Sequence, residues 1–475
     1  VKTMKLRALA IFAGAFDNDN RALIPELWAQ EGIAILVEQM VAAALVHRDF
    51  ESEVAEFGDV VNTRKPQEFK AKRKVDADNV TVQDAVSTNV AVRLDQHVHV
   101  SFLIKDGERS KSFQDLIVTY LEPAMIAMAR HTDQIVLAQF AQFLNNSAGQ
   151  LGDGASKSSL TRTRKVMNDN KVPQQTRYQT LTSEAETDYL EIDNFMTADK
   201  IGDDGTALRE ASLGKKFGIW LLLSQNMSDI AAGNTIVVTT LVNLIAGYAK
   251  GDTVLLVDGG TAAADAPLGA YLTIAGDDTP HRIEAIVGDP VTSITLDTPL
   301  KFAVANDAVI TIYAPGEVNL VAGYAGLLAD GTPGYAKEIV VDGFTVAPQV
   351  GQLVSFGVGT EQYVIIDTDD TGLVGITLDR PLETAIANDD NVNIGPAGNY
   401  NFTFHRNCLS LVTRPLEAAM AGTGASSAVV NDPANNVGIR VTITYDGNKQ
   451  GHLVTLDFLA GVKVLDEDLG AVMLS

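Results

Sequence analysis

Cysteine is almost missing from this chain: Cys408 is the single one among 475 residues. No disulfide can close within one copy, no cysteine-based metal site can be built, and a reducing compartment suits it. Positive charge is scarce as well, with 36 Lys and Arg against 60 Asp and Glu and a formal net charge of −24. Proteins that grip phosphate backbones by counterion release need clustered cations, so nucleic acid near this chain is expected to be enclosed and not gripped. Long apolar runs are absent too, all falling well short of the roughly 20 residues of a membrane span. The chain also lacks a phosphate loop ending in Gly-Lys-Ser/Thr, a nucleophile elbow and a His-Glu-x-x-His zinc helix.

Weaker chemical signals are better read as structure. Of seven histidines, only His97 and His99 are close in sequence; a strand would point both to one face, but two ligands do not complete a metal site. Asp367, Asp369, Thr371 and Gly372 open like a calcium loop, yet the twelfth position is Leu378 where a bidentate Glu is required, so a turn is expected. Residues 202–205 (GDDG) read as a tight turn. No catalytic constellation, cofactor or metal site is expected.

What is present is a folded chain of more than one core. It is 46% hydrophobic and 20% charged, and single cores stop growing near roughly 250–300 residues. Lys2, Lys5 and Arg7 precede an apolar run at 8–16 that imitates a secretory signal. Residues 17–20 (DNDN) follow in place of a small-residue cleavage site, so the run reads as an arm or the start of an amphipathic helix. Between 22 and 46 apolar residues recur at three- and four-residue intervals, which predicts a helix that packs on its own domain or docks on a neighbour.

The period then changes to two. Val90, Val92, Leu94, Val98, Val100 and Phe102 alternate with polar residues, which predicts one half-buried strand. With residues 60–63 it forms an extended hairpin whose connecting stretch carries Arg64, Lys65, Lys70, Lys72, Arg73 and Lys74. A two-stranded ribbon is marginal alone, so these six are the candidate contacts to an acidic surface on another subunit. Residues 113–143 predict a long helix interrupted at Pro123. Residues 151–159 read as a loop, 160–170 as a helix, 178–181 as a strand and 183–190 as a helix, together an α+β pattern.

An internal repeat follows. Residues 294–307 (ITLDTPLKFAVAND) and 376–389 (ITLDRPLETAIAND) are identical at 10 of 14 positions. The offset of 82 runs without a gap from 272–316 to 354–398, and 257–261 (VDGGT) matches 341–345 (VDGFT) once two residues are allowed for. Each unit is a run of short β-segments between Gly, Asp and Pro turns, which predicts a small barrel or sandwich. Residues 236–398 hold 21 acidic and 5 basic residues, a net of −16, so an outward, solvated surface is expected.

The order of segments LDQHVHVSFLIKD, LEPAMIAMA, GDDGTALREASLGKKFGIWLLLSQNM, HRNCLSLVTRPLE, ITYD and LDFLAGVKVLDEDLGAVML resembles the coat proteins of short-tailed Salmonella phages and their prophage relatives. Residues 202–227, 405–417 and 456–474 carry it best, and some 300 of the 475 residues share order and spacing.

The resemblance implies an α+β tailed-phage major capsid fold: N-terminal arm and helix (1–49), extended loop (50–104), peripheral domain with a spine helix and the start of an axial domain (105–234), and a return to the core (399–475). Relatives carry one inserted β-barrel; here two tandem copies are expected, 235–315 and 316–398, and deletion of 235–396 is expected to leave a foldable remainder. The implied function is a non-enzymatic shell of pentamers and hexamers enclosing double-stranded DNA without reading its sequence. Its implied partners are further copies of itself, a scaffolding protein and a portal, with no membrane, assembly in the bacterial host cytoplasm and residence in the virion. An acidic shell avoids adsorbing the genome it must admit. Competing readings are an extracellular surface-layer or adhesin protein, suggested by the acidic tandem modules and the signal-like start, and an enzyme with accessory β-domains.

Overall fold

The computed structural model describes residues 23–48, 60–65, 71–74, 82, 88–105, 117–197, 210–227, 230, 236–258, 261–314, 318–324, 336–344, 347–359, 361–368, 375–420, 424–432 and 437–475. The signal-like run, the GDDG turn and Lys70 lie outside them.

The first helix, α1 (Leu23–Gln39), is shorter than the apolar periodicity predicts. Its last helical bond runs from Met40 N–H to the Leu36 carbonyl. Beyond it, the carboxylate of Asp133 takes the N–H groups of Val41 and Ala43 at 2.9 and 2.8 Å, so a side-chain acceptor replaces the next helical carbonyls and the chain turns away. Trp28, Ile33 and Leu36 are buried in the main core, and Trp28 stacks on Phe102. Of the two roles open to this segment, the structure shows packing on its own chain for residues 23–48.

The alternating stretch forms two strands, a correction to the single one predicted. After β1 (Val60–Lys65) come β2 (Thr88–Arg93) and β3 (Gln96–Lys105). Between them Leu94 turns into a buried cluster with Val412 and Leu459, while Asp95 pairs with Lys337 at 3.4 Å. Side chains fixed in different directions at 94 and 95 end one strand and start another. The helix predicted around Pro123 is present as α2 (Glu122–Leu137), entered through a π turn at 117–121 with proline in its first turn and continued by a 3-10 stretch to residue 146. Next come β4 (Ser147–Gly149), α3 (Lys157–Asp169, capped by Ser156), β5 (Arg177–Leu181), α4 (Ser183–Leu190, capped by Thr182), β6 (Lys215–Lys216) and β7 (Ile219–Leu223).

The repeats fold alike. The first contributes β8 (Ile236–Leu241), β9 (Val254–Leu256), β10 (Tyr271–Ile274), β11 (Asp277–Val287), β12 (Ser293–Leu296) and β13 (Val309–Ala314). The second contributes β14 (Asn319–Leu320), β15 (Glu338–Asp342), β16 (Leu353–Phe356), β17 (Tyr363–Thr368), β18 (Gly375–Leu378) and β19 (Val392–Ile394). The two six-stranded sheets run β8-β13-β10-β11-β12-β9 and β14-β15-β18-β17-β16-β19. These orders look different until their ends are joined. In the first, Asn243 N–H bonds Leu256 O at 2.8 Å and Asp258 N–H bonds Leu241 O at 3.0 Å; in the second, Val392 N–H bonds Val318 O and Leu320 N–H bonds Asp390 O, both at 3.0 Å. Each sheet closes on itself, and around each ring the first strand lies between the second and the sixth. Each also encloses its own apolar core, around Leu272 and Ile294 in one and Val354 and Ile376 in the other.

The closed sheets are pressed together at a glycine. Gly269 has φ +84°, and a Cβ there would stand 2.0 Å from the carbonyl oxygen of Gly357, so only glycine allows the approach. Beside it, Arg282 Nη1 donates to Gly359 O at 2.6 Å. Tyr271, Leu353, Val364 and Ile366 also belong to the main core.

A buried polar network holds the first repeat sheet. Asp277 accepts from Thr279 at 2.7 Å and from the Lys301 N–H at 2.6 Å, with His281 Nε2 at 3.5 Å. Burial alone would raise the Asp277 carboxyl, but His281, Thr279 and the Phe302 N–H outweigh it and hold it below the ordinary value of 3.8. A depressed carboxyl gives stability that is present above 3.8 and is lost as pH falls through the folded value. The expected result is acid loosening of this sheet, followed by tyrosine fluorescence or amide exchange, and Asp277→Asn removes that pH dependence. An acid profile unchanged by the substitution would contradict the assignment.

The chain closes with β20 (Tyr400–His405), β21 (Leu409–Arg414), β22 (Ser426–Asp432), β23 (Val437–Asp446), β24 (Gly451–Val464) and β25 (Gly470–Leu474). One sheet runs β4-β25-β20-β5-β7-β6, with β25–β4 and β5–β7 parallel; α3 and α4 cover it over a core containing Leu160, Tyr189, Leu221 and Met473. The other runs β21-β24-β23-β22, with β3 along β24 from Gln96 to Lys105, and α1 and α2 pack there in the largest core. The architecture is α+β.

Candidate functional site

The ribbon predicted to carry contact residues is a two-stranded sheet. Six consecutive pairs join β1 to β2, from Val60 opposite Arg93 to Lys65 opposite Thr88, and among the described residues neither strand bonds a third. Its base is fixed to the body, because Val92 and Leu94 are fully buried against Val412 and Leu459. A Cβ on Gly461 would stand 2.1 Å from the Arg93 carbonyl oxygen, so the crossing also needs glycine. Of the six basic candidates, Arg64 and Lys65 lie on β1, Lys72, Arg73 and Lys74 are exposed without regular structure, and Lys70 falls outside the described residues.

At the ribbon's foot lies a cleft of about 830 Å³ between β3, α2 and the second repeat, lined by Asp95, His97, His99, His131, Lys337 and Asp367 among others. Burial raises the Asp95 carboxyl against the pull of Lys337, and burial lowers the Lys337 ammonium against the pull of Asp95. His131 is likewise lowered by burial, against Asp367. Asp95 and Lys337 meet as an ion pair at 3.4 Å. His97 Nε2 lies 3.1 Å from Asp457, which Arg440 Nε also binds at 2.9 Å, so this histidine is engaged by the sheet behind it. Among the described residues no three His, Cys, Asp or Glu side chains are grouped to hold a metal ion, and no helix is long and apolar enough to cross a membrane. Leu378, at the failed calcium-loop position, is buried on β18, while Asp369, Thr371 and Gly372 fall outside the described residues. Cys408 is fully buried and its thiol is pushed well up by burial, which makes it a poor nucleophile.

The polar groups that organise the molecule were not singled out by the sequence reading. Asp379, fully buried where the second repeat meets the body, accepts from Val364 N–H at 2.9 Å, Gln139 Nε2 at 3.2 Å and Arg380 Nη1 at 3.0 Å. Its carbonyl takes Gln96 Nε2 at 3.0 Å. In the first repeat Asp297 takes the Arg282 N–H at 2.8 Å from the matching position. The recurrence of ITLD was the readable signal.

No family model matches the chain, and no curated protein matches it. Solved phage structures resemble it. One titled Mycobacterium phage Che8 is 12% identical with a TM-score of 0.39, over 91% of this chain and 90% of that one. A chain from the capsid structure of the cyanophage P-SCSP1u is 10% identical, TM-score 0.38, over 90% of both. One from the capsid of Ralstonia phage GP4 is 9% identical, TM-score 0.36, over 91% of this chain and 87% of that one.

Proposed function

We propose that this chain is the major capsid protein of a tailed bacteriophage, similar to the coat proteins of short-tailed Salmonella phages, and that it assembles into pentamers and hexamers of a shell around double-stranded DNA. The observation that carries the reading is the ribbon. Two strands that bond no third among the described residues are marginal alone, and exposed Lys72, Arg73 and Lys74 lie between them in sequence on a chain of net charge −24. A second copy offers the missing surface, and head-to-tail contacts between identical chains close rings.

The order of elements supports the same reading. A packed helix, a two-stranded ribbon, the long α2, a mixed sheet with helices and a returning pair of long strands follow the order that the sequence resemblance implies. The two closed repeat sheets then stand as tandem inserted β-barrels between the halves of that fold. Because Val364 and Ile366 line a small cavity with Phe140 and Tyr400, removing residues 235–396 uncovers apolar surface on the remainder, and a foldable product requires polar replacements there. Scaffolding protein, portal and cytoplasmic assembly in the host belong to the same proposal.

The test is direct. Purified chain, alone and with co-expressed scaffold, is expected to give rings or shells in electron micrographs; a monodisperse monomer under every condition would overturn the reading. Reversal of Lys70, Lys72 and Arg73 to Glu is expected to lower particle yield several-fold while the melting transition stays in place, since exposed charges contribute at most about 1 kcal/mol to folding. Particle yield equal to that of the parent would remove the ribbon from the interface.

A further inference from the structure

The first repeat sheet presents apolar side chains to solvent along its seam. Leu241, Val254 and Leu256 are 37%, 50% and 46% exposed, and Val309, opposite Leu241 in register, is 40% exposed. Their sequence neighbours Val242 and Leu255 are fully buried, so strand alternation forces these four outward. The seam bonds, Asn243 N–H to Leu256 O and Asp258 N–H to Leu241 O, hold β8 and β9 side by side and gather the four into one strip. Carboxylates stand at its ends: Asp258 just beyond β9 is exposed, and Asp252, two residues before Val254, is half-buried. Lys250 is the exposed cation nearby.

The second repeat provides a comparison within the same chain. At the positions corresponding to Val254 and Val309 it carries Glu338 and Asn391, and its sheet closes all the same; at the position of Leu256 it keeps an apolar residue, Val340, 41% exposed beside Val321. The apolar side chains at 254 and 309, which widen the strip in the first repeat, are therefore not a requirement of the closed sheet. A ring without free edges cannot take an added strand, so the strip can bind only through side chains.

We propose that this strip is the seat of the basic ribbon segment, residues 70–75, of a second copy, which names the acceptor within the shell-forming reading and rests on it. The argument is complementarity. An apolar surface bounded by carboxylates fits long cationic side chains, which lay their methylene stems on apolar surface and keep their charged heads at its rim. Within this chain, residues 64–74 hold six Lys and Arg, and Lys72, Arg73 and Lys74 are exposed. The acidic surroundings, net −16 over residues 236–398, steer the segment in and fix its register.

The experiment uses full-length chains and the assembled fraction in sedimentation at low salt. Leu256→Lys with Asp258→Lys on the strip, and Lys72→Glu, Arg73→Glu and Lys74→Glu on the ribbon, are each expected to lower that fraction about ten-fold, an effect of about 1.4 kcal/mol. The chain carrying both sets is expected to recover most of the loss. Should a variant fail to fold, crosslinking decides: a Val254→Cys chain mixed with a Lys72→Cys chain yields a dimer with a bifunctional maleimide, since Cys408 is buried. Normal assembly of the strip variant, no recovery on combination, or no crosslinked dimer overturns the proposal. If the parent assembles and only the ribbon reversal blocks it, the shell-forming reading stands and this seat is wrong; if the parent never assembles, that reading itself fails.

Discussion

Asp379→Ala is expected to destabilise the chain by about 3 kcal/mol, because buried donors left without an acceptor cost about 1–3 kcal/mol each. Asp379 is 2% exposed and Arg380 is 9% exposed, so water cannot take over the guanidinium once the carboxylate is gone. Arg380 would keep the Gln362 carbonyl, its position over the Tyr363 ring, 4.5 Å from the centroid, and the carboxylates of Glu361 and Glu383 at 3.8 and 3.7 Å, while Nη1 loses its acceptor and Gln139 and the Val364 N–H lose theirs. Burial pushes the Asp379 carboxyl above the ordinary range, and Arg380 and the Val364 N–H draw it back down. Urea unfolding of variant and parent checks the value. Because Gln96 and Gln139 belong to the body and Val364 to the second repeat, loss of protection on both sides of this junction is expected in amide exchange. A change under about 1 kcal/mol would show that the pair is solvated in solution.

Asp133→Ala is the second large effect. Asp133 is fully buried on α2 and bonds the Val41 and Ala43 N–H groups, with Asn226 at 3.5 Å. Burial raises its carboxyl, and the N–H groups of Ala43, Val41 and Ala42 draw it back down. Alanine leaves these donors facing a cavity, at about 1–3 kcal/mol for each buried group without a partner. The segment after α1 is expected to open first, because the His47 N–H to Leu409 O and Leu411 N–H to His47 O bonds are its other backbone ties to the sheet. Exchange at residues 41–43 should rise far more than exchange in β24. Uniform destabilisation with no local opening would mean that the turn holds itself.

The roles of both residues depend on partners far away in the sequence. Asp133 interrupts an apolar helical stripe of Met125, Met128, Ala129 and Val136, all of them buried, and a charge there announces a partner without naming it. Its acceptor role became evident only when residues 41–43, some 90 positions away, were seen against it. The strand break at 94–95 was hidden for a different reason: β2 and β3 share the two-residue period, and periodicity does not record which partner each strand has. Pro123 was readable because its effect is local, fixing its own φ and lacking an N–H wherever the chain goes.

Sequence alone determined the duplication at a spacing of 82, the alternation of the ribbon strands, the start of α2 and the acidic character of residues 236–398, since identity, period and charge are properties of neighbours along a chain. Only the tertiary structure decided that the repeat sheets close with one cyclic order, that Leu241, Val254, Leu256 and Val309 of the first face solvent along its seam, and that Asp379 ties the second to the body. Closure, exposure and pairing depend on which distant atoms meet, and the free energy of those meetings is not written in any local stretch.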